Sequence, residues 1–320
     1  MRFPSWFPLV LALPVAAVPA LRMSPSSPCV FAGREVERTV EFGEEVSGTL
    51  SWSVDVLPTR RPLVRHELVL DRMRKAALRI PVPPLRNGVE MTLELRAALR
   101  PQGGVPSELR EQFRVMSPEA FSAADRVRLA RSLYIVDPAG ELGKCLAGCG
   151  VTPQVARDPH RLATDKAGIL LLAPGAQLAR RGLGDALVRL AKGGWRVVVV
   201  EPAAGFLAFP PADRFFIGTE AVVPRLGKWL RPRFGTRKGG LALATRRDRV
   251  ALETGAESKH FCWAELEYAS GGSMVFIALP IVSAWADEPT PRYVLRAVLA
   301  AKQGVGEAGL GSSSSKRKPE

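Results

Sequence analysis

The chain has 320 residues, 47% hydrophobic and 24% charged, a balance that excludes a disordered polymer and at this length suggests two packed domains. Four cysteines exclude a disulfide-stapled scaffold. Forty-five basic against 31 acidic residues leave a net charge of +14, which favours an anionic surface, nucleic acid or lipid headgroups without choosing among them.

Arg2 precedes an apolar run from Phe7 to Val18 that closes on Val18-Pro19-Ala20, the kind of residues a signal peptidase reads. Residues 1–20 are therefore expected to be an export signal cleaved after Ala20, placing the protein in the periplasm, on the cell surface or outside the cell. An uncleaved anchor or an N-terminal strand is the alternative. The run is too short for a membrane helix of roughly 20 residues, and Pro8, Pro14 and Pro19 interrupt it, so no transmembrane span is expected. Cys29 follows Ser26-Ser27-Pro28, which lacks the small approach of a lipoprotein site, and is read as an unlipidated thiol.

From residue 21 to 116 the apolar period is two. Leu50, Trp52, Val54 and Val56 alternate with Ser51, Ser53 and Asp55, and Met91, Leu93, Leu95, Ala97 and Leu99 alternate with Thr92, Glu94 and Arg96. Further short apolar sets, separated by turn-rich stretches such as 57–62 and 83–88, predict an antiparallel β-sandwich. Trp52 is expected in its core, or lining a sugar-stacking surface. Between 117 and 132 the pattern changes, and Ser117 and Pro118 are placed to start a helical or irregular connector.

Residues 133–301 alternate apolar runs with helical stretches. Leu133–Val136, Val151–Val155, Ile169–Leu172 and Trp195–Val200 read as strands, and Glu141–Ala147 and Leu183–Lys192 as helices. Leu241–Thr245, Met274–Leu279 and a closing helix from Pro291 to Ala301 follow. Runs that are apolar on both faces predict a doubly wound, mostly parallel, flavodoxin-like α/β domain. The tail, residues 302–320, is low-complexity and expected to be disordered.

The succession Tyr134-Ile135-Val136-Asp137-Pro138, Gly168-Ile169-Leu170-Leu171-Leu172 and Lys192-Gly193-Gly194-Trp195-Arg196-Val197-Val198-Val199 resembles the class I glutamine amidotransferase-like fold. So does the ending Gly271-Gly272-Ser273-Met274-Val275-Phe276-Ile277-Ala278 with the helix after it. Such domains occur beside β-sandwiches in secreted bacterial glycoside hydrolase-like proteins, and in the trimerisation domain of some β-galactosidases. The resemblance implies a protein partner or self-association and a possible glycan ligand. An active member carries a cysteine on a G-x-C-x-G elbow. The matching turn reads Val200-Glu201-Pro202-Ala203-Ala204-Gly205, and His260 is followed by Phe261 and Cys262, so the Cys-His-Glu machinery is absent and no catalytic residue is assigned.

Asp137 and Glu201 each follow an apolar strand, where an open α/β sheet places its ligand crevice. They are the candidate ligand contacts, or the paired carboxylates of a carbohydrate-active hydrolase. The alternative is that each caps a turn or helix. Arg231, Arg233, Arg237 and Lys238, interleaved with Trp229 and Phe234, are candidate anion contacts or a solvated face, and the export signal argues against nucleic acid. Cys145 and Cys149 share one helix face and are expected to be buried, a labile disulfide or a metal pair being the alternatives. His66, His160 and His260 lie far apart, and phosphate-cradling glycine motifs are missing, so no metal or cofactor is expected. The sequence thus points to an exported, non-catalytic protein for association or carbohydrate-related binding.

Overall fold

The computed structural model describes residues 21–164, 166–176, 182–202 and 263–300 in full, and strands 205–209, 214–218, 241–246 and 249–254 as backbone. The chain divides between Ser117 and Pro118 into two compact units.

The first unit is all β: β1 (Leu21–Met23), β2 (Cys29–Phe31), β3 (Glu35–Leu57), β4 (Arg61–Pro81), β5 (Glu90–Pro101) and β6 (Ser107–Met116). They form one sheet in the order β1-β3-β5-β6-β2, with β4 on β3. The unit is β-rich and sandwich-like as expected, but it is not built of several short antiparallel strands. β3 and β4 run 23 and 21 residues, and β2 pairs with β6 in parallel. Alternation marks which face is buried but says nothing of where a strand bends and continues, so two long strands read as several short ones.

The bend follows from geometry. Arg38 and Val56 lie on the same strand, 18 residues apart, which would span ~60 Å if β3 were straight. Yet Val56 pairs with Leu93 and Leu93 with Phe113, while the buried Arg38 guanidinium sits 5.0 Å over the Phe113 ring and donates to Ser27 O at 2.7 Å. The strand therefore folds back over its own sheet. Register shifts between Glu41 and Val46 and again before Gly48 make the bend, as bulges do. Gly48 has φ +154, and a Cβ there would strike the Arg100 carbonyl, so only glycine lets β3 pass the end of β5. Val40, Leu50, Val54, Leu78, Ile80, Leu95 and Phe113 fill one core between the two layers.

The second unit begins with α1 (Ala123–Ser132). Ser122 caps it in a capping box with Asp125, in place of the expected Ser117, whose hydroxyl donates to Asn87 Oδ1 in the first unit. There follow β7 (Leu133–Val136), α2 (Glu141–Ala147), β8 (Gln154–Val155), a 3-10 turn (Pro159–Arg161), β9 (Ile169–Leu172), α3 (Leu183–Lys192) and β10 (Arg196–Val200). Then come β11 (Gly205–Phe209), β12 (Arg214–Gly218), β13 (Leu241–Arg246), β14 (Arg249–Thr254), β15 (Trp263–Glu267), β16 (Ser273–Ile277) and α4 (Thr290–Ala300).

The doubly wound, mostly parallel flavodoxin-like or amidotransferase-like sheet expected for this unit is corrected by the pairing. The seven-stranded sheet runs β12-β15-β16-β10-β9-β7-β8 and is mixed. β8, β7, β9, β10 and β16 are parallel, whereas β15 is antiparallel to β16 and β12 to β15. A separate antiparallel sheet holds β11-β14-β13. Five residues join β15 to β16, too few for the crossover of a dozen or more that parallel strands need, so this pair must be a hairpin. Among the described residues no helix lies between β10 and β16, where a doubly wound fold would place them.

The parallel centre is nonetheless dry. β9, β10 and β16 are buried at every position, with α3 laying Leu183, Ala186, Leu187, Leu190 and Ala191 against them. Among the described residues no helix is long and apolar enough to cross a membrane.

Candidate functional site

Two regions hold side chains with chemistry to offer. The first is the carboxyl end of the parallel strands. Val136 pairs with Leu172 and Leu172 with Val199, so Asp137 and Glu201 emerge two strands apart, with backbones ~10 Å from each other. That spacing suits paired carboxylates, but each accepts hydrogen bonds from the backbone. Asp137 Oδ1 accepts from Gly140 N at 2.9 Å and Oδ2 from Gly143 N at 2.7 Å, satisfying the first turn of α2. Gly140, at φ +73, makes the tight turn that aims these N–H groups at the carboxylate. Glu201 Oε1 accepts from Val282 N at 2.6 Å, and Glu201 N donates to Ile277 O at 2.7 Å. Glu201 stands at φ +44, a left-handed conformation costing a non-glycine residue ~1–2 kcal/mol.

The other sequence candidates fall as follows. Cys149 is buried and Cys145 half-buried, both as free thiols, and burial pushes both thiols up, which keeps them protonated and poorly nucleophilic. His66 stacks on Trp52 with ring centres 5.0 Å apart, and Trp52 is 8% exposed within the core cluster. Arg231, Arg233, Arg237, Lys238, His260 and Cys262 lie outside the described residues, as do residues 1–20 and 302–320. Among the described residues no three side chains of metal-binding type converge.

The second region lies on the outer face of the first unit's sheet and holds a groove of about 510 Å³. Register builds it. Arg65 on β4 opposes Ser53 on β3, Ser53 opposes Arg96 on β5, and Arg96 opposes Arg110 on β6, one row across four strands. The row beside it runs Glu67, Ser51, Ala98 and Glu108, and on the other side Asp55 opposes Glu94 and Glu94 opposes Gln112.

Asp55, which lines the groove, and Glu94 beside it share the guanidinium of Arg96. Arg96 Nε donates to Glu94 Oε1 at 2.6 Å, and Gln112 Nε2 donates to Glu94 Oε2 at 3.1 Å. Hydrogen bonds from Gln112 and Arg96 hold the Glu94 carboxyl below the usual range. Asp55 has only a 3.8 Å approach from Arg96 Nη2 to its Oδ2, and its Oδ1 is buried with no hydrogen-bond partner, although the residue is only 6% exposed. Sequence reading missed this site. Its signal was present in the polar positions of the alternating strands, Ser51, Ser53 and Asp55 with Glu94 and Arg96, but alternation gives a face and not the rows across it.

No family model matches the chain, and no curated protein is similar to it. Solved structures similar to parts of it include the periplasmic chaperone SfaE, at 10% identity over 36% of this chain and 65% of that chain, TM-score 0.26. The sporulation control protein Spo0M of Bacillus subtilis matches at 14% over 36% and 55%, TM-score 0.21, and a β-glucuronidase of Parabacteroides merdae at 15% over 58% and 23%, TM-score 0.23. The chain spans less than two thirds of the length of each of these. None of the three is an amidotransferase, and at TM-scores this low they say nothing of fold, ligand or partner.

Proposed function

We propose that the chain is an exported, non-catalytic protein that acts through association or carbohydrate-related binding. One observation carries the reading: both carboxylate oxygens of Asp137 and one of Glu201 accept from backbone N–H groups at 2.6–2.9 Å. A general acid or base must reach the proton it moves, and a carboxylate bonded to backbone N–H groups is placed to hold the chain there. Export rests on the sequence of residues 1–20.

A carbohydrate-active hydrolase is the second reading, favoured by the ~10 Å backbone spacing of the two carboxylates. Purified protein incubated with glutamine, esters and glycosides decides between them. The expected result is no turnover above buffer; hydrolysis abolished in Glu201→Gln or Asp137→Asn would replace the first reading with the second.

A further inference from the structure

We propose that the groove on the outer face of the first unit's sheet binds an acidic saccharide, with Asp55 taking a hydroxyl at the floor and Arg65 and Arg110 holding its anionic groups. This deepens the binding reading above and rests on it.

The argument starts from the orphan oxygen. A buried carboxylate oxygen without a donor is costly, and such groups are nearly always satisfied by protein, water or ligand. Glu94, directly opposite Asp55 on the neighbouring strand, is bonded by Arg96 and Gln112, whereas Asp55 receives the remainder of one shared guanidinium at 3.8 Å. What Asp55 lacks is an O–H or N–H donor, and the residue borders the groove.

The row next to it has the opposite need. Among the described residues Arg65 has no carboxylate within ion-pair distance. Arg110 pairs with Glu108 at 3.7 Å between two exposed side chains, a contact of little strength, and its charge also helps to hold the Glu94 carboxyl low. The two lie three strand intervals apart, ~14 Å between backbones. An occupant that satisfies both sets therefore brings hydroxyl donors to Asp55 and anionic groups to the two arginines, which describes an oligosaccharide with uronate carboxylates. A single DNA strand offers the two arginines phosphates but brings no sugar hydroxyl to Asp55.

The test is calorimetric titration of the full chain with a galacturonate tetramer, beside a neutral galactose tetramer and a single-stranded oligonucleotide. The wild type is expected to bind the uronate saturably and in preference to both. Arg65→Glu, on an exposed strand, should weaken uronate binding roughly tenfold or more, the loss of one charge-assisted contact, and leave any affinity for the neutral sugar unchanged. Asp55→Asn should weaken both sugars, because Arg96 draws the amide oxygen and turns an N–H donor toward the groove. Absence of saturable uronate binding overturns the proposal, as does uronate affinity untouched by Arg65→Glu, or an oligonucleotide that binds as tightly. New reducing ends appearing during a titration that Arg65→Glu weakens would support this groove and overturn the non-catalytic reading, so the two fail separately.

Discussion

Three carboxylates divide the molecule into two kinds of polar region. At the carboxyl ends of β7 and β10, Asp137 and Glu201 occupy positions where ligand sites are usual, yet the backbone N–H groups of Gly140, Gly143 and Val282 absorb them. On the outer face of the first unit, Asp55 sits in the middle of a strand, an unremarked position, and holds a buried oxygen that nothing satisfies. Position in a fold indicates where a site is to be sought; unfilled hydrogen-bonding capacity indicates where something is still to bind. The two regions should respond oppositely to removal of charge.

The largest effect is expected at Asp137. Asp137→Ala removes two charge-assisted bonds from the start of α2 and should lower stability by ~2–3 kcal/mol in a denaturant titration. A loss below ~0.5 kcal/mol would show that the carboxylate is not holding the turn. At Glu201 two terms oppose. Glu201→Gly gives up the bond to Val282 N, worth ~1.5–3 kcal/mol, but relieves ~1–2 kcal/mol of left-handed strain, so the net change should stay near 1 kcal/mol. Glu201→Ala keeps the strain and loses the bond, and should be the less stable of the pair; the reverse order would sink this account of the turn.

Asp55→Asn marks the other side of the comparison. Removing a buried charge with an orphan oxygen, while Arg96 keeps Glu94, should leave stability unchanged or raise it by up to ~1 kcal/mol. A thermal midpoint several degrees lower would mean that Asp55 is a structural partner like Asp137. The smallest effect concerns pH. Glu94 is held below its unfolded value by Gln112 and Arg96, so its contribution is fully present above the unfolded carboxylate value of ~4.3. It is lost as pH falls through the lower folded value. Glu94→Gln should therefore flatten part of the acid limb of a stability profile and leave its neutral slope alone; an unchanged acid limb would count against the shared floor.

Much of the second unit's local structure was legible because it is written in runs. Ile169–Leu172 and Arg196–Val200 are continuous apolar strands, and Leu183–Lys192 carries its buried stripe at helical spacing before Gly193-Gly194. Its topology was not legible. Trp263–Glu267 pairs by a five-residue hairpin, and direction is a property of connection length that an apolar pattern does not carry. In the first unit, alternation identified Leu50 and Trp52 as inward and Ser51 and Ser53 as outward, but the bend in β3 depends on bulges that leave the period intact. The groove was hidden for a related reason: Arg65, Ser53, Arg96 and Arg110 become one row only through three separate registers. The capping role of Asp137 had a local signal, since an aspartate three residues before Gly140 is turn chemistry, while the partner of Glu201 lies 81 residues away.

The most direct test sets the two regions against each other in one binding measurement: affinity for the galacturonate tetramer in Asp55→Asn and in Asp137→Asn, both confirmed folded by circular dichroism. The account predicts that Asp55→Asn loses binding roughly tenfold or more and that Asp137→Asn retains it. Retention in Asp55→Asn with loss in Asp137→Asn would contradict it, and would return the ligand site to the carboxyl ends of the parallel strands.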